Sequence, residues 1–139
     1  MDAVLPGMAS RSQGSVVNVI GMGGKVASPI HLPGGAANAA LMLATVGLSQ
    51  VYAPKGIRIN AVNPGATLTD RIKEGLRVEA AARKTSEDEV LATAQARVPL
   101  RRFANADEIA SVVLFLASER ASYVTGAIIP MDGGSTPVI

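Results

Sequence analysis

The feature that most constrains this chain is the absence of any formal charge from residue 26 to residue 54. Prolines and glycines break the first third of this stretch. The apolar run that remains, residues 36–51, is shorter than the roughly 20 residues that cross a bilayer, and it carries Asn38 and Gln50. We therefore reject a membrane span and predict a helix that is buried on most sides.

The composition fits one soluble domain, predicted to cover residues 1–139, with 48% apolar and 17% charged residues. A net charge of only +2 and an aromatic content of 3% argue against a nucleic-acid surface. The chain has no cysteine and one histidine, so we predict neither a disulfide nor a metal site. The N-terminus lacks the pattern of a secretory signal, and we see no lipidation motif. The predicted location is the cytoplasm.

Three short, largely apolar runs predict β-strands, and a helix lies between the first two. The runs cover residues 15–20 (SVVNVI), 57–62 (IRINAV) and 127–131, and the helix covers residues 36–52. Strand, helix and strand at this spacing predict a parallel crossover. The sequence thus predicts an α/β fold with three parallel strands, which is half of a doubly wound sheet.

Capping patterns locate further helices after the second strand. The charged stretch 69–97 predicts two short helices, and the second begins at Ser86 with Glu89 three residues later. Asn105 and Glu108 repeat this pattern before an apolar helix face. Between residues 2 and 70 there is no acidic residue, which excludes a pair of catalytic carboxylates from that half.

The glycine run at residues 21–24 follows the first strand directly, where a glycine turn can hold a pyrophosphate at a helix N-terminus. The context does not fit this role. The sixth position is Val26 rather than glycine or alanine, prolines follow, and no acidic residue stands about 20 positions later to bind a ribose. We predict no phosphate site here.

The segments GSVVNV, APKGIRINAVNPGATLTD and VPLRRFANADEIASVVLFLASERASYVTGAIIPMDGG occur in this order. Together they resemble the C-terminal half of a short-chain dehydrogenase/reductase, and the resemblance spans Leu5 to Thr136. It implies a Rossmann-like layered fold. This chain would supply the fifth, sixth and seventh strands of the family's parallel sheet, without the first four.

The same resemblance implies NAD or NADP as the cofactor and carbonyl/alcohol redox as the reaction. The loop at residues 63–69 resembles the family loop that lies against the nicotinamide, so Pro64, Gly65, Thr67 and Thr69 are candidate cofactor-binding residues. The alternative is a rigid Pro-Gly turn that only ends a strand. The family's pyrophosphate turn, ribose selector and catalytic asparagine have no counterpart here, so we expect no complete cofactor site from this chain alone.

The family's catalytic serine, tyrosine and lysine fall, by alignment of the motifs, on Gly21, Gly34 and Asn38. Glycine has no group that donates a proton, and a neutral amide cannot lower the pKa of a phenol as an ammonium does. We therefore predict no catalytic residue and an inactive chain. His31, with Ser28 nearby, is a conceivable substitute proton donor, although a loop histidine is more often solvated.

Two further sets of residues have structural interpretations beside functional ones. Arg101 and Arg102 could hold a phosphate, but a solvated loop is the favoured interpretation. Tyr52 and Tyr123 stand at the end of a helix and in a later connection, where we expect structural roles.

Half of a layered sheet leaves one edge of the first strand without a neighbour. We expect a second copy, a complementary N-terminal half or rearranged local chain to cover it. The resemblance implies a homo-oligomer that packs through helix 36–52 and through the last helix and strand.

The alternatives to an oxidoreductase that needs its other half are a noncatalytic, self-associating relative and a truncated product that begins at an internal methionine. We predict no nucleic-acid and no membrane partner.

Overall fold

In the computed structural model the described residues are 1 and 3–137, with Ile30 described by its backbone alone. The domain predicted over 1–139 includes residues 2, 138 and 139, which lie outside this description. Within the described residues, five helices and three strands form the fold, apart from short 3-10 turns. In chain order they are α1 (Leu5–Ser10), β1 (Gly14–Val19), α2 (Leu32–Tyr52), β2 (Ile57–Pro64), α3 (Asp70–Arg83), α4 (Glu87–Gln95), α5 (Ala106–Ala117) and β3 (Ile128–Met131).

The three strands form one parallel sheet in the order β1-β2-β3, which confirms the predicted fold class. The pairing places Val16 beside Ile59 and Val62 beside Ile129. The predicted strand ends differ from the observed ones by one or two residues. Although β1 ends at Val19, Ile20 still donates its N–H to the Val62 carbonyl oxygen at 2.9 Å.

Helices cover both faces of β2, the central strand, because its side chains alternate between the two faces. Ile57 and Ile59 are fully buried against α1 and the C-terminal half of α2. Val62 points to the opposite face and packs with Ile109 and Leu116 of α5. The buried core is therefore concentrated on β2, and β1 keeps one backbone edge free of strand partners among the described residues.

Helix α2 begins at Leu32, four residues before the predicted start. Pro33 stands in its first turn, where the N–H that proline lacks would have no partner inside the helix in any case. The proline therefore begins the helix instead of interrupting it.

The prediction that α2 is buried on most sides is wrong. Only Met42, Thr45 and Ser49 are buried in this helix, while Leu43 on the opposite side is 76% exposed. The reason is the number of layers: α2 covers one face of the sheet, and no further element covers α2. By length and composition the stretch Leu32–Lys55 is apolar enough to cross a membrane, but here it is the crossover between two neighbouring parallel strands.

The predicted caps of α4 and α5 are present. The Ser86 hydroxyl accepts a hydrogen bond from the Glu89 N–H at 3.2 Å, and the Glu108 carboxylate accepts one from the Asn105 N–H at 2.8 Å. The opposite end of α5 is held by Arg58 from β2, whose guanidinium donates to the carbonyl oxygens of Leu116 at 2.7 Å and of Ser118 at 3.0 Å. The Leu116 carbonyl has no partner inside the helix and also accepts from the Ser15 hydroxyl of β1 at 3.2 Å, so Arg58 and Ser15 together fix α5 on the sheet.

Candidate functional site

The candidate site lies at the carboxyl edge of the sheet, where β1 and β2 end side by side. Because Val19 pairs with Val62, the backbone after β1 at Gly21 and the backbone after β2 at Gly65 leave the sheet at the same edge. In open α/β sheets this edge is the usual place for a ligand.

Asn63 completes the hydrogen-bond ladder at this edge. In a parallel pair the Ile20 carbonyl would accept from the N–H of residue 64, but Pro64 has none. The Asn63 side-chain amide donates to that carbonyl instead, at 2.5 Å. Asn63 is fully buried, and its Oδ1 has no hydrogen-bond partner among the described residues. The sequence placed Asn63 in a cofactor loop, and only the strand register shows its role in the ladder.

The four candidate cofactor-binding residues lie between the end of β2 and the start of α3, and each is fixed by different contacts. A Cβ added to Gly65 would lie 2.9 Å from both the Cα and the Cβ of Asp132, so this position requires glycine for packing. The Thr67 hydroxyl donates to the Gly65 carbonyl at 3.3 Å. Thr69 is the N-cap of α3, and its exposed hydroxyl makes no hydrogen bond within the described part of the chain.

A short backbone pairing holds this loop in place from the other side. The Ala104 N–H donates to the Ala66 carbonyl at 3.0 Å, and the Leu68 N–H donates to the Ala104 carbonyl at 2.8 Å. Pro64 contributes its fixed backbone at the end of β2. The loop is thus a rigid wall that carries one free hydroxyl, on Thr69.

Gly21 and Asn38 lie against each other. The Asn38 Nδ2 is 3.1 Å from the position that a Cβ on Gly21 would occupy. Its side chain makes no hydrogen bond to any described residue and is partly exposed. Around Gly34, one turn earlier on α2, an added Cβ would meet nothing within 4 Å. The site is therefore open and carries an amide, with no ionisable group at these three positions.

The glycine run after β1 serves close packing. A Cβ on Gly24 would lie 2.7 Å from the backbone N of Ala39, and a Cβ on Gly35 would lie 2.8 Å from the carbonyl oxygen of Gly23. The 3-10 turn Met22–Gly24 thus lies directly on the backbone of α2. This packing accounts for Gly24 and Gly35 without a bound phosphate.

The remaining sequence candidates make no hydrogen bond to residues 63–69 in the described part of the chain. His31 is exposed. The Arg101 guanidinium donates to the Ala96 carbonyl, and Arg102 forms two hydrogen bonds with Glu108 at 2.6 and 2.7 Å. Both arginines are exposed to solvent, as the favoured interpretation of a solvated loop requires, and each also donates a hydrogen bond within the chain. Among the described residues no group of histidine and acidic side chains could hold a metal ion.

Tyr52 and Tyr123 do not enter the site. Lys55 lies 4.9 Å from the centre of the Tyr52 ring at the end of α2. Tyr123 is fully exposed in the connection before β3.

Two carboxyl groups near the loop have lowered pKa values. Hydrogen bonds from the Arg102 side chain and from the Asn105 N–H lower the pKa of Glu108 to about 2. Burial acts to raise the pKa of Asp132, but hydrogen bonds from Thr136 and Gly134 outweigh it, so this pKa is below its usual value. Both carboxylates are bound within the protein and hold the loops around the site.

Comparison with known proteins identifies the family. A family profile described as Enoyl-(Acyl carrier protein) reductase matches residues 1–136. A solved short chain dehydrogenase family protein from Francisella tularensis superposes with a TM-score of 0.88 at 29% identity, over 96% of this chain and 56% of that one. This chain belongs to the short-chain dehydrogenase/reductase family.

Other family members show the same extent of similarity. Protein FixR of Bradyrhizobium diazoefficiens is 41% identical over 127 residues, which are 88% of this chain and 40% of that protein. The L-sorbose reductase of Gluconobacter frateurii, solved with NADPH and L-sorbose, gives a TM-score of 0.89 at 27% identity over 99% of this chain and 53% of that one. This short-chain dehydrogenase/reductase chain spans about half the length of the relatives that it matches.

Proposed function

We propose that this chain forms the nicotinamide side of a short-chain dehydrogenase/reductase site and does not by itself reduce or oxidise a carbonyl substrate. The observation that carries the proposal is the set Gly21, Gly34 and Asn38, in which Gly21 follows β1 at the carboxyl edge of the sheet and Asn38 lies against it. By resemblance, these are the positions of the family's catalytic serine, tyrosine and lysine.

The chemistry of these three positions supports the absence of catalysis. Carbonyl reduction requires a proton donor beside the substrate oxygen, and neither glycine nor a carboxamide titrates in the useful range. Gly34 has no side chain and therefore supplies no phenol, and Asn38 brings no positive charge. A hydride delivered here would meet a carbonyl that no side chain of the three protonates.

The loop residues fit one side of a nicotinamide nucleotide, NAD or NADP. Pro64 and Gly65 offer a rigid backbone wall, Thr69 offers a free hydroxyl, and Thr67 holds the turn between them. When bound, the nicotinamide supplies or accepts a hydride. The glycine run is packed on α2 and supplies no pyrophosphate turn, so we expect weak or no binding of the whole cofactor by this chain alone.

The test compares this chain with a complete relative. L-sorbose reductase serves as the positive control, with NADPH and L-sorbose as substrates. We expect the control to consume NADPH and this chain to leave it unchanged at equal concentration. Turnover by the unmodified chain would contradict the proposal, because it would require another proton donor.

We further propose that the outer stripe of α2 packs against a second copy of this chain. The outer stripe consists of residues that are all uncharged and exposed: Leu32, Ala36, Ala40, Leu43, Gly47 and Val51. Leu32, Leu43 and Val51 are 57%, 76% and 57% exposed, and their spacing places them on one side of the helix. A continuous uncharged apolar surface of this kind is typical of a helix that has a partner.

Light scattering after size-exclusion chromatography tests this contact. We expect a dimer or larger oligomer that Leu43→Glu converts to monomer, because the charge would be buried between two helices. Val78→Glu is the matched control, since Val78 is 60% exposed on α3 outside the stripe. A monomeric unmodified chain, or equal effects of the two substitutions, would refute the contact.

A second candidate function is that of an oxidoreductase subunit completed by an N-terminal half, and the free edge of β1 favours it. Ile20 points its N–H toward β2, so by alternation Ser15, Val17 and Val19 direct their N–H and C=O groups to the free edge. Adding the N-terminal half of a relative should then give a one-to-one complex that binds NADPH. Failure to form that complex would remove this candidate.

A further inference from the structure

A cavity of about 150 Å³ lies behind the candidate cofactor loop, on the side of the sheet that α5 covers. Its walls come from that loop, from the segment before α5, from the first turn of α5 and from the turn after β3. Ala66, Val98, Ala104, Ile109 and Met131 give it an apolar lining.

The charged side chains that line it already have hydrogen-bond partners within the chain. Arg102 and Glu108 neutralise each other through two hydrogen bonds. The Asp132 carboxylate accepts from the N–H groups of Gly134 at 3.0 Å and of Thr136 at 2.9 Å. An apolar ligand needs no new hydrogen bond from these groups and leaves the existing ones in place.

The walls are held apart by contacts that resist collapse. The Leu100 N–H donates to the Gly133 carbonyl at 3.1 Å, and Ala104 pairs with the loop through Ala66. Gly133 has φ +63°, and a Cβ there would lie 2.7 Å from Val98, so the two segments are in direct contact beside the cavity. The backbones of these segments are therefore held in fixed positions beside the cavity.

We propose that this cavity binds a small, uncharged, apolar molecule of about the size of a benzene ring. An apolar cavity of about 150 Å³ admits a ligand of this kind. Every wall residue comes from this chain, on the β3 side of the sheet and away from the free edge of β1. Binding is thus independent of the proposed function. A bound ligand would contact Ala66 and so lie behind the wall formed by residues 64–69.

Methionine methyl groups provide a direct test with benzene as the probe. Met131 lines the cavity, while Met8 and Met42 lie in two other apolar clusters. In a chain labelled at the methionine methyl carbons, we expect benzene to shift the Met131 signal saturably and to leave the other two in place. Benzoate, which has the same ring and a negative charge, should shift none of them. No saturable shift of Met131, or equal shifts at all three, would overturn the proposal.

Filling the cavity supplies the second arm of the test. Ala66→Leu adds three carbons at an exposed position of the wall, and Ala104→Leu adds them at a half-buried one. Either should weaken benzene binding about tenfold or more. Ala110→Leu on the exposed side of α5 is the control and should leave the affinity unchanged. An affinity that survives both wall substitutions in folded protein would place the ligand elsewhere and refute the assignment.

Discussion

Replacing Gly24 by alanine tests the packing of the glycine run on α2. The added Cβ would lie 2.7 Å from the Ala39 N and 2.9 Å from the Asn38 carbonyl carbon, whereas ordinary contact begins at 3.4 Å. The 3-10 turn would have to move by about 0.7 Å, the difference between the first and last of these distances. Overpacking of this kind costs about 1–3 kcal/mol, and the loss of unfolded-state freedom returns about 0.4–1 kcal/mol. We expect a net loss of about 1–2 kcal/mol in the free energy of unfolding.

Gly34→Ala is the matched control, because an added Cβ there meets nothing within 4 Å. It should leave stability unchanged or raise it by up to about 1 kcal/mol through helix propensity. Urea unfolding followed by circular dichroism measures both, since the chain has no tryptophan for fluorescence. If Gly24→Ala were as stable as Gly34→Ala, the glycine run would not be needed for packing, and a ligand-binding role would again be open.

Three further substitutions give expected changes in stability. Arg58→Met removes the donors at the end of α5 and should cost about 1.5–3 kcal/mol in urea unfolding, with Arg58→Lys recovering part of the loss. Lys84→Gly should gain about 0.5–1 kcal/mol in thermal unfolding, because Lys84 ends α3 with φ +53°, a conformation that glycine adopts without strain. The Glu108 pKa is lowered from 4.5 to about 2, so its bond with Arg102 stabilises the fold fully above pH 4.5 and is lost as the pH falls toward 2. Glu108→Gln should flatten this part of the curve of stability against pH, and an unchanged curve would contradict the role given to the pair.

Local sequence signals were sufficient for the strands and for most helices. The β-branched runs bounded by glycine and proline gave all three strands to within two residues, and Ser86 and Asn105 gave the starts of α4 and α5. These features depend on neighbouring residues in the chain, which is why a single sequence reveals them. The sequence does not reveal the early start of α2, because a proline can stand either after the end of a helix or in its first turn.

Other features depend on distances that no spacing in the sequence contains. An uncharged helix face has the same sequence pattern whether it is buried or exposed. The prediction that the outer side of α2 is buried was therefore wrong. The role of Asn63 follows from the strand register, and the role of Gly24 from its distance to the α2 backbone. The candidate cofactor loop was located by resemblance, and its freely available hydroxyl on Thr69 is visible only in the structure.

Because the Asn63 side chain replaces the backbone hydrogen bond that Pro64 cannot make, the order in which these two residues mutate affects stability. A lineage that replaced Asn63 first would leave the Ile20 carbonyl without a donor deep in the protein and would lose stability at once. A lineage that replaced Pro64 first would regain a backbone donor, after which the asparagine would be free to change. We therefore expect that Pro64 is substituted before Asn63 whenever this pair changes during evolution.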